Sequence, residues 1–133
     1  MFKAGLDVTI HADIQTVWDA VTGYGDVSWR SDMAKAEVVE PGHVIAYSPK
    51  GVTTHLYITE MKPCRLYEFK MKNKMYSGLW TGRFFELPDG QTMLRLLEEI
   101  HVRHFWRRLL WAVGDVAARR QLRFAVDLKA FVT

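Results

Sequence analysis

Cysteine is close to absent from this chain: Cys64 is the single one in 133 residues. No intrachain disulfide can form, so a reducing, cytoplasmic setting is the expectation. Nor does any apolar run approach the roughly 20 residues that a bilayer-spanning helix needs, so no membrane span is expected. The N-terminus has no basic region followed by an apolar block, and no signal peptide is expected. Repeats, low-complexity tracts and linkers are missing as well. Residues 1–133 are therefore read as one domain around one core. Neither charge sign dominates. The formal net charge is +3, which permits an acidic partner without requiring one.

Also lacking are the spacings that most chemistries need. His101 and His104 are three apart; on one strand they face opposite sides, which is wrong for joint metal chelation. No metal and no cofactor are expected. Cys64 follows Pro63 at a turn and has no evident base partner. Gly23-Tyr24-Gly25 lacks the strand-then-helix setting of a phosphate loop. No serine has a His and a carboxylate near it in the sequence. Arginines cluster near the C-terminus, but aromatic residues do not interleave with them as a nucleic-acid surface would need. No nucleic-acid partner is expected.

Aromatic residues are plentiful: five Trp, five Tyr and seven Phe. They fit either a bulky core or a roomy, aromatic-lined pocket. Residues 76 to 103 read as two long strands around Pro88-Asp89-Gly90-Gln91, since Asp-Gly is a strong tight-turn signal between alternating runs. With Asp89 and Gly90 at the tip, Leu87 faces Thr92, Phe85 faces Leu94, Arg83 faces Leu96 and Thr81 faces Glu98. One face then carries Leu79, Thr81, Arg83, Phe85 and Leu87 with Leu94, Leu96, Glu98, Ile100 and Val102. Arg83 and Glu98 become diagonal neighbours inside an apolar wall, where charges are costly unless paired. Such a pair reads as a polar anchor for a ligand, with Thr81 a supporting hydroxyl, or as a plain structural ion pair. Glu98 doubles as a general-base candidate if burial raises its pKa.

Phe2 to Ile10 alternates as a first strand. Asp13 is a good N-cap for a short helix with the apolar stripe Ile14, Val17, Trp18 and Val21. A second short helix or turn holds Val27, Trp29 and Arg30. Strands follow at about 34–40, 43–48, 52–61 and 65–72, separated by turn residues. In the strand at 52–61, Leu56 and Ile58 favour one side and Tyr57 and Met61 the other, so its facing stays open. From about Phe105 to Phe131 the pattern is one long helix. Trp106, Leu110, Val113, Ala117, Gln121, Phe124, Leu128 and Phe131 share one side, with Arg108, Arg119 and Arg123 opposite. Gly114, beside the stripe, marks a bend or a close approach. Trp111, Val116, Leu122 and Val126 lie off the stripe and fit either packing on the sheet edges or a homodimer contact.

The order is α+β: strand, two short helices, antiparallel strands, one long helix. This order, with Val8-Thr9-Ile10-His11-Ala12-Asp13-Ile14-Gln15-Thr16-Val17-Trp18-Asp19-Ala20-Val21 running on to Trp29-Arg30-Ser31-Asp32, resembles the helix-grip superfamily. Ile58-Thr59-Glu60-Met61-Lys62-Pro63 and Asp127-Leu128-Lys129 add to the likeness. That superfamily takes in START domains, birch-pollen-allergen-like proteins and polyketide cyclases (SRPBCC). The resemblance covers the whole chain and is greatest to small bacterial polyketide cyclase- or dehydrase-like members. It implies a curved antiparallel sheet of about seven strands wrapped around the C-terminal helix. It further implies a cavity between the two for an apolar or amphipathic small molecule. Trp29, Thr81, Arg83, Phe85, Leu96, Glu98, Gln121 and Phe124 are the expected lining. The alternatives are an aromatase, cyclase or dehydratase using Glu98 and Arg83, or an interaction domain resembling chaperone ATPase activators.

Overall fold

A computed structural model of the protein describes residues 1–103 and 110–133, and the side chains of all of these except 110–115. Expectations for His104, Phe105, Trp106 and Arg108, and for the side chains of Leu110, Trp111, Val113 and Gly114, lie outside the described residues.

Strand β1 (Phe2–Ile10) leads into helix α1 (Ile14–Thr22). Asp13 caps α1: its carboxylate accepts from the backbone N–H of Thr16 at 2.8 Å and from its hydroxyl at 3.0 Å. A cap of this kind stabilises a helix by about 1 kcal/mol. Val17, Trp18 and Val21 are the buried face of α1. The segment of Val27, Trp29 and Arg30, expected as a second short helix or a turn, is a hydrogen-bonded turn, with Arg30 N–H donating to the Val27 carbonyl. Strands β2 (Lys35–Glu40), β3 (His43–Tyr47), β4 (Thr53–Lys62), β5 (Leu66–Lys72), β6 (Tyr76–Glu86) and β7 (Thr92–Val102) follow, then helix α2 (Leu110–Val132). All strand pairs are antiparallel and neighbour in the order β1-β7-β6-β5-β4-β3-β2. Short turns explain the five sequential pairings, and only β1 travels far, to the outside of β7. This is the helix-grip fold.

Helix α2 lies against β1, α1 and β7. Its buried face holds Ala117, Gln121, Phe124, Ala125 and Leu128, and Arg119 and Arg123 are exposed. Gln121 donates to the Ala4 carbonyl at 3.1 Å, tying the helix to β1.

The long hairpin is one residue out of the expected register. Its loop has three residues, Pro88-Asp89-Gly90, closed by Leu87 N–H to the Gln91 carbonyl and Gly90 N–H to the Leu87 carbonyl. Gly90 has φ of +83°. A β-turn followed by a left-handed glycine is the usual three-residue hairpin, and Pro88 suits its second position. Leu87 thus meets Gln91, and Phe84 rather than Phe85 meets Leu94. A slip of one turns a whole strand over. The inner face of β6 is Tyr76, Gly78, Trp80, Gly82 and Phe84, and Thr81, Arg83 and Phe85 are on the outer face. The face of β7 is as expected, with Leu94, Leu96, Glu98 and Ile100 buried. Gly82 is where the Trp80 indole lies: a Cβ there would come within 2.9 Å of the ring.

Candidate functional site

The concave side of the sheet, beneath α2 and the loop after α1, carries two polar clusters in an aromatic surround. Both are built by chain segments far apart in sequence. Glu98, from the inner face of β7, is 2% exposed. Arg120, one turn before Phe124 on α2, bonds Glu98 through Nη2 and donates from Nη1 to the Tyr76 hydroxyl at 2.8 Å. In the second cluster Arg30 grips Asp32 with two bonds, Nε to Oδ1 at 2.9 Å and Nη2 to Oδ2 at 2.7 Å. The Arg30 guanidinium also sits 4.9 Å from the Phe124 ring centre and 5.6 Å from that of Trp29. Two phenols meet close by, Tyr24 from the loop and Tyr67 from β5, with hydroxyls 2.6 Å apart.

The surrounding rings hold these groups in place. Trp80 stacks on Phe69 at 5.0 Å and meets Phe124 edge-on at 6.2 Å. Trp29 stacks on Phe131 at 5.0 Å. The loop is fastened to α2 by Ser31, whose N–H donates to Asp127 at 2.7 Å and whose hydroxyl accepts from Arg123 at 3.2 Å.

Burial sets the protonation states. It holds the Glu98 carboxyl above its ordinary range, against the opposing pull of the Arg120 charge and hydrogen bond, and Asp32 adds to the rise. Burial also works against the charge on Arg30 and Arg120, but their carboxylate partners outweigh it and both stay cationic. Tyr24 and Tyr67 are pushed upward chiefly by burial and remain phenols. The two hydroxyls share one hydrogen bond, so one of their two protons is left for a further acceptor. Nη1 of Arg30 likewise meets no acceptor among the described residues. Together they are donors suited to a carbonyl oxygen or an oxyanion. Glu98, whose carboxyl burial holds above its ordinary range, is the acid–base candidate of the site.

Of the expected lining, Trp29, Leu96, Glu98, Gln121 and Phe124 face the interior. Thr81, Arg83 and Phe85 do not, because the register turns them outward. Arg83 and Glu98 lie on opposite faces of the sheet and the expected pair is not formed. Phe85 is 40% exposed beneath Arg95. Thr81 is buried on the outer side, its hydroxyl 3.4 Å from Glu68. The true partner of Glu98, Arg120, had a signal in the sequence. It precedes Phe124 by four residues and so falls on the apolar stripe, apart from Arg119 and Arg123. Among the described residues no group of three or more His, Cys, Asp or Glu is placed to hold a metal. Cys64 adopts a left-handed turn conformation, and its thiol meets Gln15 Oε1 at 3.4 Å, not a base.

Residues 1–129 match the family described as polyketide cyclase / dehydrase and lipid transport. The chain belongs to that family. Its solved structural relatives share the fold at low identity. A START superfamily protein from Mycobacterium smegmatis is 10% identical with a TM-score of 0.86, over 99% of this chain and 97% of that one. The Zhui aromatase/cyclase from Streptomyces sp. R1128 is 17% identical with a TM-score of 0.82, over 98% and 92%. The XoxI protein from Bacillus cereus is 12% identical with a TM-score of 0.83, over 99% and 96%. Among curated proteins no match is found. Membership of the family supports a role in small-molecule binding or in cyclase-type chemistry. No helix among the described residues is long and apolar enough to cross a membrane.

Proposed function

We propose that the protein binds an apolar or amphipathic small molecule between the sheet and α2. The apolar body rests among Trp29, Trp80, Phe124 and Leu96. A carbonyl or anionic oxygen of the ligand accepts from Nη1 of Arg30 and from the Tyr24–Tyr67 pair. The observation that carries this reading is the buried Arg30. Its side chain is 9% exposed, and its Nη1, which meets no protein acceptor among the described residues, is the part that stays open to solvent and so to a ligand. A largely buried ion pair of this kind is weak evidence for stability, since apolar residues of similar volume often serve folding as well. The setting is the cytoplasm.

A second reading, cyclase-type catalysis, is favoured by Glu98. The ionised Glu98 carboxylate, made more basic than an ordinary one by burial, would take a proton from carbon beside a ligand carbonyl and so become a carboxylic acid. The enolate oxygen so formed would rest on Arg30 and the phenols. Arg120 would hold the Glu98 side chain in place while the acid so formed returns its proton to the carbon skeleton or to the enolate oxygen.

Native mass spectrometry of freshly purified protein tests the first reading, with the released compound then identified. Arg30→Met should fold and lose at least tenfold in affinity for that compound, because a charge-assisted hydrogen bond is worth about 1.5–3 kcal/mol. Unchanged affinity would overturn the assignment of Arg30. Conversion of the compound by the protein, abolished in Glu98→Gln, separates the second reading from the first.

A further inference from the structure

The outer face of the sheet carries a second arrangement, which the concave site does not use. The facing of β4 decides it: Leu56 points inward and Thr53, His55 and Tyr57 point outward. On that face His43 of β3 stacks on Tyr57 at 4.6 Å, and His43 Nε2 lies 2.9 Å from His55 Nδ1. A row of rings therefore runs along β3 and β4. Beside it, on β5, Lys70 is registered with Tyr57 and Lys72 with His55. The same end of the sheet adds Lys74 from the β5–β6 turn and Arg103 from the end of β7. Lys72, Lys74, Arg103, His55 and Tyr57 border one concavity of about 520 Å³. No acidic residue among the described ones borders it. Lys72, Lys74 and Arg103 have no ion-pair or hydrogen-bonding side-chain partner among the described residues.

Three cations around one hollow, with no partner among the described residues, repel each other unless an anion joins them. Beside them Tyr57 is 42% exposed on a sheet face, where a planar ring can stack. Cations tracking phosphates next to exposed aromatic rings is the pattern by which sheets hold single strands and nucleotides. The arginines of α2 lack this interleaving; the outer face of β3–β5 has it.

We propose that this outer face is a binding site for a phosphate-bearing ligand with a planar ring. Lys72, Lys74 and Arg103 take the phosphate, and Tyr57 takes the ring beside the His43–His55 pair. A free nucleotide and a single-stranded nucleic acid both present this chemistry. The site is on the opposite side of the sheet from Arg30 and Glu98, and it stands or falls independently of the concave-face reading.

The test is titration of the full chain with three probes: inorganic phosphate, AMP, and a fluorescein-labelled oligothymidylate of about twelve residues. AMP should bind saturably at about 50 mM salt and more tightly than phosphate alone. Three neutralised phosphates predict a log–log salt slope near −2 for the oligonucleotide, hence a loss of about 15–20-fold between 50 and 200 mM salt. The triple variant Lys72→Ala, Lys74→Ala, Arg103→Ala should reduce binding at least tenfold, with an unchanged melting curve because the three side chains are exposed. Tyr57→Ala should weaken AMP but not phosphate, and Tyr57→Phe should restore it. An oligonucleotide bound more than tenfold tighter than AMP supports a single strand as the ligand, and equal affinities support a free nucleotide. The proposal is overturned if AMP and the oligonucleotide fail to saturate, or if the triple variant binds as the wild type does. It is also overturned if Tyr57→Ala leaves AMP and oligonucleotide binding unchanged.

Discussion

Removing the carboxylate of Glu98 isolates one buried interaction and has two readouts. Glu98 is 3% exposed in its side chain, and Arg120, its partner, is 30% exposed. Breaking a fully buried pair from one side costs about 3–5 kcal/mol, because the remaining charge is left uncompensated. Arg120 keeps its bond to Tyr76 and can turn toward water, so Glu98→Ala belongs at the lower end, about 2–4 kcal/mol. For a chain of this size that is a fall in Tm of about 8–16 °C. Arg120→Ala should cost as much or more, since it strands the less exposed partner. Glu98→Gln keeps an acceptor for Arg120 and should cost only about 1–2 kcal/mol.

The second readout is pH. Burial makes the folded protein hold the Glu98 proton more tightly than the unfolded chain does. Its contribution to stability is therefore full below the ordinary glutamate pKa and is lost as pH rises through the higher folded value. Glu98→Gln cannot ionise, so its stability relative to wild type should improve as pH rises through that window. Arg120→Ala removes the charge that pulls the carboxyl down, so the window should widen. Urea unfolding followed by circular dichroism from pH 4 to 8 measures all three variants. A Glu98→Ala cost below about 1 kcal/mol, or a Glu98→Gln difference that does not change with pH, would refute the reasoning.

Phe124→Ala should cost about 3–5 kcal/mol by chemical denaturation, because the ring packs among Trp29, Trp80 and Arg30. Arg83→Ala should change stability by less than about 0.5 kcal/mol and leave ligand affinity intact; a large loss of either would favour the register expected from the sequence, with Arg83 facing inward. Val116, Leu122 and Val126 are each more than half exposed on α2. If they form a homodimer contact, wild type should sediment as a dimer and Leu122→Lys, Val126→Lys as a monomer; a monomeric wild type ends that reading.

Local periodicity was enough for the elements. Alternation located the strands to within a residue or two, Asp13 announced α1, and the 3.6-residue stripe set Phe124 and Leu128 inward and Arg119 and Arg123 outward. The run from Val8 to Asp32 and the element order pointed to the helix-grip fold. The inner face of β7 was legible too, because Leu94, Leu96 and Ile100 leave no alternative. What failed was a single residue of loop length. Both faces of β6 are rich in apolar and aromatic residues, Leu79 and Phe85 on one and Trp80 and Phe84 on the other, so hydrophobicity could not choose between them. The glycine at φ +83° chose, by making the loop three residues long, and that moved Arg83 to the outside.

The site itself depended on contacts that no local pattern encodes. Arg120 and Glu98 are 22 residues apart and Tyr24 and Tyr67 43 apart. Their meeting follows from where α2 and the loop after α1 settle on the sheet. The ring-and-lysine arrangement outside needed the facing of β4, which alternation alone left open because Leu56 and Tyr57 are both bulky apolar residues. Sequence determined which segments are strand and helix, since those depend on neighbours a few residues away. Tertiary structure decided which charges are paired and which face water, since that depends on a register set at one turn and carried along two whole strands.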